Sequence, residues 1–296
     1  MNLIITIVFF SLAGILVIFF SINYILQKVY YLPHIPNSKT PKEYGINFIE
    51  YFIKNGSDKK VQLWDLNPTK EGHIVLVVHG WSKAVDSLLP VSNTLVKQAR
   101  VFMLNTRNHG DSDNDYEFSM KKFKEDVLCA LNYIRNDLML SENIILLGHS
   151  FGAAAVLEIA KISADINGLV LLSVFPDGES LMRHQFRQKK LPGILIDSLI
   201  SFIEFKNDEK LSRVAPEKVI EHINIPILLL HGGQDEFITI ENFNSLKKKL
   251  NKHSTAVLIQ DACHQTILEN QILINEIELY ISEFSETIKH YNNSKL

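Results

Sequence analysis

Cysteine is scarce in this chain. Only Cys129 and Cys263 occur among 296 residues, which argues against a disulfide framework or a Cys-based metal site. An excess of one charge is also missing. Thirty Lys and Arg face 33 Asp and Glu, for a net charge of −3, and the basic residues are scattered, so nothing points to nucleic acid. There is no internal repeat, and no low-complexity tract beyond the amino-terminal apolar run. Lys and Arg are absent before Lys28, and residues 3–26 hold no charged residue at all.

That uncharged stretch is apolar on every face. About 20 residues at about 1.5 Å rise cross a hydrocarbon core, so residues 3–26 are long enough to span. A cleaved signal peptide would need a positive n-region and a shorter apolar core of about 7–15 residues. Neither is present, and no small-x-small cleavage site follows. The reading is a retained, single-pass membrane anchor at residues 3–26. Lys28, Lys39 and Lys42 follow the span, and the positive-inside rule then places the rest of the chain in the cytoplasm. Residues 27–45, with Pro33, Pro36 and Pro41, read as a linker. The anchor also accounts for part of the 46% hydrophobic content.

Two alternating stretches, residues 48–53 and 61–66, flank an Asn55-Gly56 turn and predict a β-hairpin. Strand and helix patterns then alternate. Residues 74–78 read as a strand, 85–98 as a helix, 101–105 as a strand and 120–137 as a helix. Alternation of this kind predicts an α/β fold with a mostly parallel sheet covered on both faces. It breaks over residues 174–223, where 178–205 read as two short helices cut at Pro192-Gly193. It resumes with a strand at 226–230, a helix at 240–250, a strand at 256–260 and a final helix from 266 to about 289. The domain is thus expected over residues 46–290.

At the centre lies Asn143-Ile144-Ile145-Leu146-Leu147-Gly148-His149-Ser150-Phe151-Gly152. The apolar run reads as a buried strand, and Ala153, Ala154 and Ala155 open a helical pattern. Gly-x-Ser-x-Gly at a sharp strand-to-helix turn holds a serine hydroxyl out of the backbone. The glycines are needed because a Cβ there would collide with the neighbouring strand or helix.

In these residues the chain resembles the serine-hydrolase branch of the α/β-hydrolase family, in the esterase, lipase and acylglycerol-lipase-like group, over roughly residues 46–284. The resemblance implies an α/β-hydrolase fold with a short cap or lid over residues 174–223. It also implies a nucleophile–acid–histidine order along the chain. Ser150 is the expected nucleophile. His264, in the loop between the last strand and the last helix, is the expected base. Asp235, in His231-Gly232-Gly233-Gln234-Asp235, matches the family's acid loop. Glu236 beside it and Asp177 after an earlier strand are rivals. His79-Gly80-Trp81 resembles the oxyanion-hole motif, so the N–H groups of Trp81 and Phe151 are the expected donors. His79 itself reads as a loop-fixing hydrogen-bonder. Arg107-Asn108-His109-Gly110-Asp111-Ser112 resembles the Arg-x-x-Gly-x-Ser loop of these hydrolases, with Asn108 where glycine is common. His79, His109, His231 and His264 lie in separate loops without metal-ligand spacing, so no metal and no cofactor is implied.

The expected function is hydrolysis of carboxylic esters, small-molecule or lipidic, through Ser150, His264 and Asp235 and an acyl-enzyme. The anchor places the domain next to lipid. The same residues serve a thioesterase, amidase or peptidase. A binding or scaffold member of the fold is the non-enzymatic alternative, and it would normally lack one of the three residues.

Overall fold

A computed structural model describes residues 2–29, 33–115 and 119–293. Residues 30–32, within the expected linker, lie outside the described residues. Helix α1 (Asn2–Val29) carries the apolar run. By length and composition its Leu3–Tyr24 segment is sufficient to cross a membrane.

Among the described residues, eight strands form one sheet: β1 (Phe48–Lys54), β2 (Lys60–Leu66), β3 (Ile74–Val78), β4 (Arg100–Asn105), β5 (Ile144–His149), β6 (Ile166–Leu172), β7 (Ile227–Gly232) and β8 (Thr255–Ile259). Their spatial order is β1-β2-β4-β3-β5-β6-β7-β8. β1 and β2 form the hairpin, β2 pairs antiparallel with β4, and all other pairs are parallel.

The apolar runs are continuous because both faces of the sheet are covered. Period-two alternation divides each strand between two cores. Leu76, Leu146, Leu171 and Leu229 face one core. That core is completed by α3 (Met120–Asn132), α4 (Phe151–Ile162), α7 (Pro216–Ile220) and α8 (Ile240–Lys247). Val75, Val77, Leu147 and Leu230 face the other, closed by α2 (Leu89–Leu95) and α9 (Gln271–Asn293).

The long helical pattern at 85–98 resolves into a 3-10 turn, Val85–Leu88, followed by α2, with Pro90 in its first turn. Pro90 has no N–H to give, which suits a helix start and not a helix interior. The pattern at 120–137 is α-helical to Asn132 and ends in a π-helical turn, Tyr133–Asp137.

Between β6 and β7 the chain forms α5 (Gly178–Gln188) and α6 (Gly193–Asn207). The break falls at Pro192, which precedes α6. Asp177 caps α5, its carboxylate accepting the Ser180 N–H at 2.7 Å. These helices form an apolar cluster of Met182, Phe186, Ile196, Leu199, Ile200 and Ile203 with Leu211 of the following 3-10 turn, and Ile22 of α1 packs against it.

Candidate active site

The parallel strands end on one edge of the sheet, and the loops leaving those ends hold the candidate residues. That edge is where open α/β sheets place their ligands. Ser150 follows β5 with φ 53° and ψ −113°. This left-handed backbone is strained for a non-glycine residue. Its N–H still donates to Leu172 of β6 at 2.8 Å, and α4 begins at the next residue.

The glycines of the motif are steric requirements. A Cβ on Gly148 would lie 2.6 Å from the backbone of Ala153, and one on Gly152 would lie 2.3 Å from the His79 carbonyl oxygen. Gly152 thus lets α4 start against the end of β3, which is the neighbour of β5 in the sheet.

His264 lies in the loop after β8. Its Nε2 is 3.2 Å from Ser150 Oγ, and its Nδ1 is 2.7 Å from Asp235 Oδ2. The carboxylate fixes the tautomer: Nδ1 carries the proton and donates, leaving Nε2 to accept from the hydroxyl. Asp235 Oδ1 accepts the N–H groups of Phe237 and Ile238, both at 2.9 Å. Burial raises the Asp235 pKa, but the hydrogen bond and charge of His264 outweigh it, and the carboxyl is held below its usual range.

Two glycines bring the acid loop to the histidine loop. A Cβ on Gly232 would fall 2.4 Å from the Ala262 carbonyl oxygen, and one on Gly233 would fall 2.9 Å from that of Gln260. Backbone bonds from Gly233 to Ile259, at 2.7 Å, and from Gln234 to Ala262, at 2.9 Å, tie the loops together. Of the three acids considered from the sequence, Asp235 meets His264. Asp177 is engaged as the α5 cap.

The oxyanion-motif loop lies against the elbow. A Cβ on Gly80 would be 3.3 Å from Ser150 Cβ. His79 Nε2 accepts the Thr106 N–H at 3.1 Å, so its proton sits on Nδ1, which donates to the Gly80 carbonyl at 2.6 Å. In a trans peptide the C=O and the next N–H point in opposite directions, so this bond sets the direction of the Trp81 N–H. Phe151 opens α4, where backbone N–H groups point out of the helix end. His109 Nε2 lies 2.7 Å from the Trp81 carbonyl oxygen, to which it donates.

Arg107 is buried and paired with Asp126, Glu125 and Asp115. Asn108, at φ 68°, adopts the left-handed conformation that glycine favours, which asparagine tolerates. His231 bonds the Ile238 carbonyl at 2.8 Å. The four loop histidines therefore have four separate tasks, and among the described residues no three His, Cys, Asp or Glu are grouped to hold a metal.

His149 escaped sequence reasoning because it occupies a variable position of the elbow motif. Its ring is buried, tilted 5.1 Å from that of His264. Burial first, then the neighbouring His264 and Lys83, push its pKa down to about 3, so it stays neutral. The linking role of Gly232 and Gly233 was also missed, since only the packed loops reveal it.

Beside Ser150 opens a cavity of about 250 Å³, walled by Phe151, Phe175, Leu181, Met182, Phe186 and Val214, with Lys83 and Lys189 also on its lining. The apolar wall comes largely from α5 and the segment after α6.

Comparison with known proteins matches residues 74–222 to the model described as the alpha/beta hydrolase family. Protein phosphatase methylesterase 1 of Candida albicans is 28% identical over 131 residues, 43% of this chain and 36% of that protein. Esterase YbfF of Escherichia coli is 26% identical over 111 residues, 37% of this chain and 42% of that protein. The chain thus aligns with between a third and a half of the length of these relatives. An esterase structure from Pyrococcus furiosus, Pf2001, superposes with a TM-score of 0.69 at 19% identity, covering 88% of this chain and 97% of that one. That likeness concerns the fold. With a family match over half its length and a sheet, elbow and loop order of the same kind, this chain belongs to the alpha/beta hydrolase family.

Proposed function

We propose that the protein is a membrane-anchored serine hydrolase that cleaves carboxylic esters. The observation that carries this is the chain of contacts Ser150 Oγ, His264 Nε2, His264 Nδ1, Asp235 Oδ2, at 3.2 and 2.7 Å, beside an apolar cavity. The relatives named as esterase and methylesterase support ester chemistry.

In this reading His264 Nε2 takes the proton of Ser150 as Oγ attacks the acyl carbon. The oxyanion is held by the N–H groups of Trp81 and Phe151. The tetrahedral adduct collapses, and His264 returns its proton to the departing alkoxide. Water, deprotonated by His264, then attacks the acyl-Ser150 ester, and Ser150 leaves with the proton. Asp235 accepts the Nδ1–H throughout and stabilises the imidazolium. No step calls for a metal or cofactor.

The apolar wall and the anchor together favour a lipidic acyl group. Lys28, Lys39 and Lys42 after the span favour a cytoplasmic catalytic domain.

The test uses the full chain in detergent or lipid nanodiscs. Fluorophosphonate labelling and hydrolysis of p-nitrophenyl esters from short to long acyl chains are expected in the wild type and lost in Ser150→Ala. Thioester and amide substrates run in parallel separate the chemistries. A folded wild type in lipid that neither labels nor turns over any of them would overturn the reading.

A further inference from the structure

The anchor does not stand apart from the domain. Phe19 of α1 meets Phe202 of α6 edge to face, ring centroids 5.4 Å apart, and Ile22 packs against the α5–α6 cluster. Both residues belong to the apolar segment Leu3–Tyr24. At about 1.5 Å per residue, Phe19 lies about 8 Å inside the carboxyl end of that segment, and about 30 Å of helix fills a hydrocarbon core. If the segment spans, whatever touches Phe19 cannot remain in bulk water.

The outward face of α6 is suited to that position. Ile194, Ser198, Ser201 and Phe205 follow one another at spacings of four, three and four residues, which puts them on one stripe of a helix. Ile194 and Phe205 are each 81% exposed, and the stripe contains no charge. The nearest charges, Asp197, Glu204 and Lys206, flank it, and Glu204 is paired with Lys210. The Ser198 hydroxyl donates to the Ile194 carbonyl at 2.9 Å, so this polar group is satisfied within the helix. Lone exposed apolar residues are ordinary on protein surfaces. An uncharged stripe on a helix that packs against an apolar segment long enough to span is not.

We propose that α6 is a second membrane contact, lying in the lipid interface beside α1 with Ile194 and Phe205 among the acyl chains. The proposal rests on the anchor reading above. It has a consequence for the site, because Met182, Phe186 and Leu211 belong both to the cluster that Ile22 joins and to the cavity lining. The wall of the acyl cavity is then built at the bilayer surface, and an ester lipid reaches Ser150 from the membrane without crossing water.

The test is depth-resolved quenching of added tryptophan by brominated phospholipids, on the full chain in vesicles. Ile194→Trp and Phe205→Trp probe the stripe, Leu12→Trp the middle of the span, and Ile162→Trp an exposed position at the end of α4. Emission in excess of the wild type, which has Trp64 and Trp81, is the readout. The expected result is strong quenching at position 12 by deeply brominated chains, quenching at 194 and 205 by shallowly brominated chains, and none at 162. Quenching at 12 with none at 194 and 205 would overturn the α6 proposal and leave the anchor intact. No quenching at 12 would overturn the anchor reading and this inference with it.

Discussion

His79 Nδ1 donates to the carbonyl oxygen of Gly80 at 2.6 Å, and through the peptide plane that bond fixes the direction of the Trp81 N–H. The histidine is buried, and desolvation pushes its pKa well below the usual value, which favours the neutral donor. Replacing it frees the Gly80 peptide to rotate. We expect His79→Ala to lower kcat by up to about 10²- to 10³-fold, the loss typical of one oxyanion donor, with little change in KM. Steady-state kinetics on a variant of wild-type circular dichroism measures this. An unchanged kcat would remove the relay from the mechanism.

Asp235 and Asp177 make opposite predictions. Asp235→Asn keeps the shape but presents an amide to His264 Nδ1, and kcat is expected to fall by about 10⁴-fold. Asp177→Asn alters only the cap of α5 and should leave kcat within a few-fold of the wild type. Both are read in the same ester assay.

Gly152→Ala forces a methyl against backbone, 2.3 Å from the His79 oxygen and 2.6 Å from that of Val78. Neither atom belongs to a side chain that can swing aside. Overpacking of this kind costs at least about 1–3 kcal/mol, so a lower thermal midpoint is expected along with loss of fluorophosphonate labelling.

Four buried histidines give stability a definite pH dependence. His79, His109, His149 and His231 all have lowered pKa values, chiefly through burial, with His149 at about 3. In the unfolded chain each protonates near pH 6.5. Below that pH the unfolded state binds more protons than the folded one, so stability is full above about pH 6.5 and falls as the pH drops. Each such group contributes up to about 1.4 kcal/mol per pH unit in that window. Urea midpoints taken above and below it should show the loss, and His149→Asn should reduce the slope.

Leu181 offers a measure of the cavity. Enlarging it with Leu181→Trp fills space beside Ser150. The expected result is a higher KM for long-chain esters with short-chain turnover retained. An unchanged chain-length profile would place the acyl chain elsewhere.

The order of elements was legible in the sequence because it rests on short-range regularities. Alternation of apolar residues marked the hairpin strands, short continuous apolar runs marked the central ones, and the long uncharged run marked α1. Gly148, Ser150 and Gly152 marked the elbow because a strained turn admits few residue types. The splits inside 85–98 and 120–137 were not visible, since local helical periodicity does not distinguish 3-10 or π turns from α-helix.

What the sequence by itself determined was the α/β class, the strand-to-helix turn at Ser150 and a short list of residues able to serve it. What only the tertiary structure decided was which of them meet. β3 lies next to β5 although 65 residues lie between Val78 and Ile144, and this brings His79 and Gly80 to Ser150. Asp235, and not Asp177, meets His264, because Gly232 and Gly233 admit the backbone of the neighbouring loop. The seat of α1 on α6 likewise follows from Phe19 and Phe202 touching. The physical reason is common to all three. Periodicity and turn chemistry act over a few residues, whereas sheet order, loop apposition and helix docking are set by steric fit and burial between segments distant in the chain.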